Sequence, residues 1–330
     1  MHEFELIRKL SHGAPQDVFG LLKGIGDDCA VIEGSGGREY LITTDALFEG
    51  VHFRTEWISP RTLGRKALAV NISDVAAMGG RPLYYLVTIG IPKGYPARDV
   101  DSLFEGMAQM SHSFRLSLIG GDTCASQKGL LLSLTVIGDA QKGKRILRSG
   151  ARPGDAIFVT GDLGGSALGL ACLENGLRGM DVRAFLKKHD EPVPRVAAGQ
   201  WLAASGCVTS MIDISDGLVA DLGHLTEEGN VGVRIFANTV PLPEGIGDVA
   251  SRCHKDPLTL ALTGGEDYEL AFTVAKDRLG LFEKMLKVVL PTFGHAVTRI
   301  GEVVQGEGVD VVDMYGASIP LAAQGFEHQW

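Results

Sequence analysis

Six short segments of this chain set a carboxylate beside glycine or a hydroxyl: Gly26-Asp27-Asp28, Thr43-Thr44-Asp45, Ile72-Ser73-Asp74, Gly120-Gly121-Asp122, Asp213-Ile214-Ser215-Asp216 and Gly264-Gly265-Glu266-Asp267. One such segment is common in any protein. Six of them, with few basic clusters to match, would repel one another if they converged without a cation. Convergence would therefore imply bound metal, and an oxygen-only ligand set favours Mg²⁺ over Zn²⁺. Mg²⁺ keeps waters and is usually held together with substrate phosphates, so the chemistry these residues suit is phosphate chemistry.

Other chemistries lack their residues. There is no G-x-S-x-G elbow, no H-E-x-x-H, and neither H-R-D nor D-F-G. Gly161-Asp162-Leu163-Gly164-Gly165-Ser166 has neither the Gly-Lys-Ser/Thr ending of a P-loop nor GxGxxG spacing, so it reads as tight strand-to-helix packing. His52 could touch substrate or be structural, and Arg148 could hold a phosphate or be a surface arginine. The net charge of -9, with no basic patch beyond Lys142-Gly143-Lys144-Arg145, argues against nucleic acid. Five scattered cysteines without a CxxC pair suggest a reducing compartment. No basic, apolar leader and no run of 18 apolar residues is present, so a cytoplasmic protein with no membrane span is expected.

The elements that must carry these residues alternate. Phe4, Ile7 and Leu10 suggest a leading helix. Strands over 30–32 and 40–44 read as a hairpin around Gly34-Ser35-Gly36-Gly37, with Asp45, Glu49 and His52 at its exit. Ser59-Pro60 opens a helix whose stripe of Leu63, Ala67 and Val70 includes Asp74, an acid that needs a partner, either backbone or metal. A strand over 83–91, a helix over 97–114, a short strand ending in Gly120-Gly121-Asp122-Thr123 and a strand over 130–137 follow.

A Gly-, Lys- and Arg-rich linker over 139–155 separates two expected domains, 1–140 and 150–330. The second begins with a strand at 156–160, has a solvated helix and loop over 178–191, and closes with a hairpin of 297–304 and 309–313. Between them, Met211, Ile212 and Ile214 form a buried strand that turns at Ser215-Asp216-Gly217 into a helix bearing Leu218, Leu222 and Leu225. Asp216 or Ser215 can cap that helix. The class is α/β (α+β).

In order along nearly the whole chain, Gly-Asp-Asp, Thr-Thr-Asp with Glu49-Gly50-Val51-His52-Phe53, Asn71-Ile72-Ser73-Asp74, Gly-Gly-Asp-Thr, Arg148-Ser149-Gly150-Ala151, Asp-Ile-Ser-Asp-Gly-Leu and Gly-Gly-Glu-Asp-Tyr-Glu-Leu closely resemble the thiamine-monophosphate kinases. The wider superfamily of aminoimidazole ribonucleotide synthetases shares the first half more loosely. The resemblance implies ATP-dependent phosphorylation of thiamine monophosphate to thiamine diphosphate. It also implies a two-domain synthetase-type fold whose N-terminal sheet pairs across a homodimer.

Carried over by position, it implies Asp28, Thr43, Thr44, Asp45, Asp74, Asp122, Asp213 and Asp216 as ligands of several Mg²⁺ ions. Asp28 rather than Asp27 follows the family pattern alone. Gly121, Asp122, Arg148 and Ser215 match ATP contacts, and His52, Glu266 and Phe326 match contacts to thiamine monophosphate. Asp45, Asp122, Arg148 and Asp213 would be the groups nearest the chemistry. Phe104 stands where relatives often carry a nucleotide-side tyrosine, and the tail ends His328-Gln329-Trp330 where many relatives place Phe after His. A purine-pathway cyclase and a non-catalytic nucleotide- or metal-binding module are the alternative readings.

Overall fold

A computed structural model of the chain describes residues 6, 7, 9, 10, 15, 18–321, 325 and 326. Of the leading helix expected from Phe4, Ile7 and Leu10, residues 6, 7, 9 and 10 are helical, while Phe4 and the tail His328-Gln329-Trp330 lie outside the described residues. Among the described residues no helix is long and apolar enough to cross a membrane.

Strands β1 (Leu21–Lys23), β2 (Ala30–Glu33) and β3 (Arg38–Phe48) open the first sheet. β2 and β3 form the expected hairpin, with Ala30 opposite Ile42. β3 does not stop at Asp45. It stays paired to a later strand as far as Phe48, opposite Leu131, so Thr43-Thr44-Asp45 lies inside a strand and its side chains alternate between two faces.

Helix α1 (Pro60–Ala77) starts as its sequence demands, with Ser59 Oγ accepting from the Thr62 N–H at 3.2 Å and Pro60 in the first turn. β4 (Arg81–Pro92), α2 (Ala97–Phe114), β5 (Ser117–Ser126) and β6 (Leu131–Gln141) complete this half. The strand order is β1-β2-β3-β6-β4-β5, and β4 and β5 are the parallel pair. Gly120-Gly121-Asp122-Thr123 therefore continues β5 rather than ending a shorter strand. A Cβ on Gly121 would sit 1.9 Å from Val87 O, so glycine there permits close approach to β4.

After the connector over 142–155, the second half contains β7 (Ala156–Thr160), α3 (Gly165–Glu174), α4 (Arg183–Asp190), α5 (Val196–Ser205), β8 (Val208–Asp213) and α6 (Leu218–Gly229). It continues with β9 (Gly232–Phe236), α7 (Ile246–Arg252), α8 (Pro257–Thr263), β10 (Leu270–Val274), α9 (Leu279–Phe293), β11 (Val297–Val304) and β12 (Gly308–Val312). The order is β12-β9-β11-β7-β10-β8. β11 and β12 do not form the expected hairpin. β9 lies between them, antiparallel to β11 and parallel to β12, and the turn at 305–307 steps over its start. Nor is α4 simply solvated, because Phe185 and His189 on one face are buried.

The two halves interlock. Val196 of α5 joins the core of the first sheet, while Ala77 of α1 and Ile146 of the connector join a core of the second. α1 packs on β3 and β6 and also reaches β8 and α5. The seam thus brings the end of α1 to the end of β8.

Candidate active site

Three acids meet at this seam from three elements. Asp28 precedes β2, Asp74 lies in the last turn of α1, and Asp213 ends β8. One carboxylate oxygen from each lies within 4.8 Å of the others. An acid in the last turn of a helix opposes the helix dipole, and burial removes the water that would screen it. Nearby groups orient the cluster. Thr43 Oγ1 donates to Asp74 Oδ2 at 2.5 Å, and Ser73 Oγ donates to Asp213 Oδ2 at 2.5 Å. Asn71 Oδ1 accepts the Asp45 N–H at 3.0 Å, and its amide donates to Ala67 O.

Arg148 is the cation at this cluster's wall. Its Nη2 and Nε approach Asp28 Oδ1 at 2.7 and 3.2 Å, and its backbone N–H faces the Asp27 carboxylate at 3.3 Å. That guanidinium does not balance the set. Burial, reinforced by Asp28, pushes Asp213 up to about 8. Burial pushes Asp45 up to about 6 and, with Asp28, Asp27 to about 7. Asp74 is held well above the carboxylate range by burial and then by Asp45, Asp213 and Asp28. Among the described residues, Asp28 Oδ2 is buried without a hydrogen-bond partner. Hard oxygen donors, an orphaned carboxylate oxygen and an excess of negative charge fit a divalent cation such as Mg²⁺.

A second wall rises from the loop between α8 and β10. Glu266 and Tyr268 both have left-handed backbones, at φ +64° and +50°. The loop is pinned to the Asp213–Asp216 turn by Glu266 N–H to Ser215 O at 2.7 Å and Tyr268 N–H to Ile214 O at 2.8 Å. Glu266 Oε2 accepts from Lys66 Nζ at 3.1 Å and meets His189 Nδ1 at 3.1 Å. Burial raises the Glu266 carboxyl, but Lys66 and His189 outweigh it and hold it below its usual value, with His52 adding to the effect. His52 is therefore within electrostatic reach of Glu266. The Phe48 N–H donates to His52 Nδ1 at 3.0 Å, which leaves the ring proton on Nε2. Half-exposed Phe326 reaches the same turn, its N–H donating to Asp216 O at 3.0 Å.

Asp28, Thr43, Asp45, Asp74, Arg148 and Asp213 are thus brought together, with Ser215, Asp216, His52, Glu266 and Phe326 grouped beside them. Other expected residues stand apart. Thr44 turns its hydroxyl to Leu134 O at 3.0 Å, on the opposite face of β3 from Thr43. Gly121 and Asp122 stand exposed on the edge strand β5, and Asp122 is not among the carboxylates that meet. Phe104 of α2 packs against the first core.

The helix after Asp216 is not capped by Ser215 or Asp216. Gly217 is its N-cap, and buried Asp221 reaches back to accept the N–H groups of Ser215, Asp216 and Gly217 at 3.0, 3.2 and 3.0 Å. An acid in the first helical turn was the overlooked signal. Lys66 and His189 were missed as well. Lys66 falls three residues after Leu63 on the apolar stripe, a position where a lysine needs a partner.

Family models match in two pieces: AIR synthase related protein, N-terminal domain, over residues 26–140, and AIR synthase related protein, C-terminal domain, over residues 152–314. The thiamine-monophosphate kinase of Bacillus subtilis (strain 168) is 34% identical over 99% of both chains. The chain belongs to the thiamine-monophosphate kinase family. The Escherichia coli (strain K12) member of that family is 37% identical over 99% of this chain and 98% of its own. A solved structure described as AaThiL complexed with AMPPCP and TMP superposes with a TM-score of 0.85 at 32% identity, covering 99% of this chain and 97% of that one.

Proposed function

We propose that this chain transfers the γ-phosphoryl group of ATP to thiamine monophosphate, giving thiamine diphosphate and ADP, with Mg²⁺ at the seam. The observation that carries this reading is the meeting of Asp28, Asp74 and Asp213 within 4.8 Å beside Arg148, in a chain of this family. A relative bound to AMPPCP and TMP supports the same pair of substrates. Asp28, Asp74 and Asp213, with Thr43, Asp45 and Asp216 around them, would hold the metal, which when bound would neutralise phosphate charge.

The acceptor oxygen is a phosphate oxygen, already anionic near neutral pH, so no strong general base is required. A bond forms from that oxygen to the γ-phosphorus as the bond from the γ-phosphorus to the β,γ-bridging oxygen breaks. Arg148 offsets charge and orients Asp28. His52 presents an N–H donor. Glu266 and Phe326 bound the acceptor, and Ser215 bounds the nucleotide. Catalysis is then alignment and charge neutralisation, with direct in-line transfer and no phosphoenzyme.

The domains are taken as 1–140 and 150–330, and the working form as a cytoplasmic homodimer. Every residue of β5 from Ser117 to Ala125 is exposed, with Leu118, Ile119 and neighbouring Tyr84 bare, and such an edge is a template for a second copy. The deciding assay supplies ATP, Mg²⁺ and thiamine monophosphate and follows thiamine diphosphate and ADP. No product at saturating substrates overturns the reading, and a competent labelled phosphoprotein overturns the direct transfer.

A further inference from the structure

Lys66 is 1% exposed, among the most enclosed large side chains in the molecule. Removing an ammonium from water costs several kcal/mol, and an apolar residue of similar volume there would commonly serve stability as well or better. Stability alone is therefore a poor reason for a lysine on this stripe of α1. Its ammonium reaches across the seam to Glu266, whose side chain keeps 24% exposure. The pair thus has a buried end on the first half and an open end on the second.

Both contacts to Glu266 fall on the same oxygen. Lys66 Nζ and His189 Nδ1 each lie 3.1 Å from Oε2, and among the described residues no hydrogen bond reaches Oε1. Burial, then Lys66, depresses His189 to about 4, so the imidazole is neutral near pH 7 and Lys66 is the charge that balances Glu266. The left-handed backbone of Glu266 stores strain that the pinned loop sustains, a pattern that clusters at binding sites. α1 also carries Asp74, so one helix holds both a member of the acid cluster and the anchor of Glu266.

We propose that Lys66 is a positioning residue for acceptor recognition. It fixes Oε2 of Glu266 and so presents Oε1 as an acceptor for the amino-bearing, cationic ring system of thiamine monophosphate, at a set distance from the acids that serve the phosphates. The balanced pair neither attracts nor repels phosphate, which suits the ring end of the substrate. This rests on the proposed kinase reaction.

Steady-state kinetics of Lys66→Met, Glu266→Gln and the double variant test it. Lys66→Met is expected to raise the KM for thiamine monophosphate about tenfold or more, the loss of a charged hydrogen bond, while the KM for ATP stays within about twofold. The double variant is expected to be no worse than Glu266→Gln, because Lys66 acts only through that carboxylate. Should Lys66→Met not fold, Lys66→Gln, which keeps a donor without the charge, takes its place with a smaller rise in the same constant.

An unmoved KM for thiamine monophosphate, an equal rise for both substrates, or multiplicative effects in the double variant overturns the inference and leaves Lys66 a structural tie. Turnover by the unaltered protein separates these outcomes from failure of the kinase reading, which would remove both.

Discussion

Two acid-rich regions meet at one seam, and they differ in how their acids are partnered. In the Gly264–Glu269 segment every acid has its own partner. Glu266 has Lys66, Asp267 accepts the backbone N–H groups of Gly164 and Ser166 at 2.6 and 3.1 Å, and Glu269 binds Arg195 and the Thr160 hydroxyl. Among the described residues, only Asp28 of Asp28, Asp45, Asp74 and Asp213 pairs with an arginine, and one oxygen of Asp28 has no hydrogen-bond partner. Carboxylates that carry their own cation or N–H donors build the wall. Carboxylates that lack them call for a cation from solution.

The sharpest way to break this contrast is to neutralise one acid on each side. Asp213→Asn is expected to lower kcat on the order of a thousandfold by weakening metal and phosphate placement, while the thermal midpoint in chelator stays level or rises because repulsion is relieved. Glu269→Gln is expected to do the reverse. It leaves partly buried Arg195 against a neutral amide and costs about 1–3 kcal/mol of stability, read by denaturant unfolding, with the Mg²⁺ dependence of the remaining activity unchanged. If Asp213→Asn destabilised the protein as strongly as Glu269→Gln, the acid cluster would be a structural network and the contrast would collapse.

A smaller effect follows from protons. Asp213, Asp27 and Asp45 are pushed up to about 8, 7 and 6 by burial. A carboxyl whose folded pKa lies above its unfolded value of about 4 binds its proton more tightly when folded. Its contribution to stability is full below that value and is lost as pH rises through the folded pKa. The chelated protein is therefore expected to melt lower at pH 8 than at pH 6. Mg²⁺ competes with those protons, so its stabilisation is expected to grow over the same interval. Asp267, also raised to about 7 by burial, adds to the slope, so Asp213→Asn is the control and must flatten it only in part. A Mg²⁺-induced shift of equal size at pH 6 and pH 8 would count against the cluster as the metal site.

The contrast also explains what the sequence could disclose. The alternation of strands and helices, the Ser59-Pro60 start and the β2–β3 hairpin follow from local patterns, and all three are present. The convergence of Asp28, Asp74 and Asp213 was legible only as a shared residue type, since their separation in the chain says nothing of a common point. Less legible was which acids bring partners. Gly264-Gly265-Glu266-Asp267 looked like one more metal loop, yet its partners Lys66, Gly164 and Ser166 come from distant segments. The β11–β12 pairing failed because two adjacent strands with a short turn look identical whether they pair or let a third strand between them. The glycines of β5 read as a strand end because close backbone approach leaves the same mark.

The smallest expected effect isolates geometry from composition. Thr43 and Thr44 are adjacent and chemically identical, but β3 sends their hydroxyls to opposite faces. Thr43 Oγ1 reaches Asp74, and Thr44 Oγ1 reaches Leu134 O and the Thr135 hydroxyl on β6. Thr43→Val removes a donor from a buried carboxylate and is expected to lower kcat by about tenfold or more. Thr44→Val removes an exposed cross-strand bond worth under about 1 kcal/mol and keeps a β-branched side chain that suits the strand. Its kcat is expected to stay within about threefold of the unaltered protein, because a main-chain oxygen at Thr44 survives the change while the hydroxyl never faced the acids. A loss on Thr44→Val equal to that on Thr43→Val would mean that β3 turns both hydroxyls to the cluster in the working enzyme. The division between the self-partnered wall and the cation-seeking acids would then have to be redrawn along that strand.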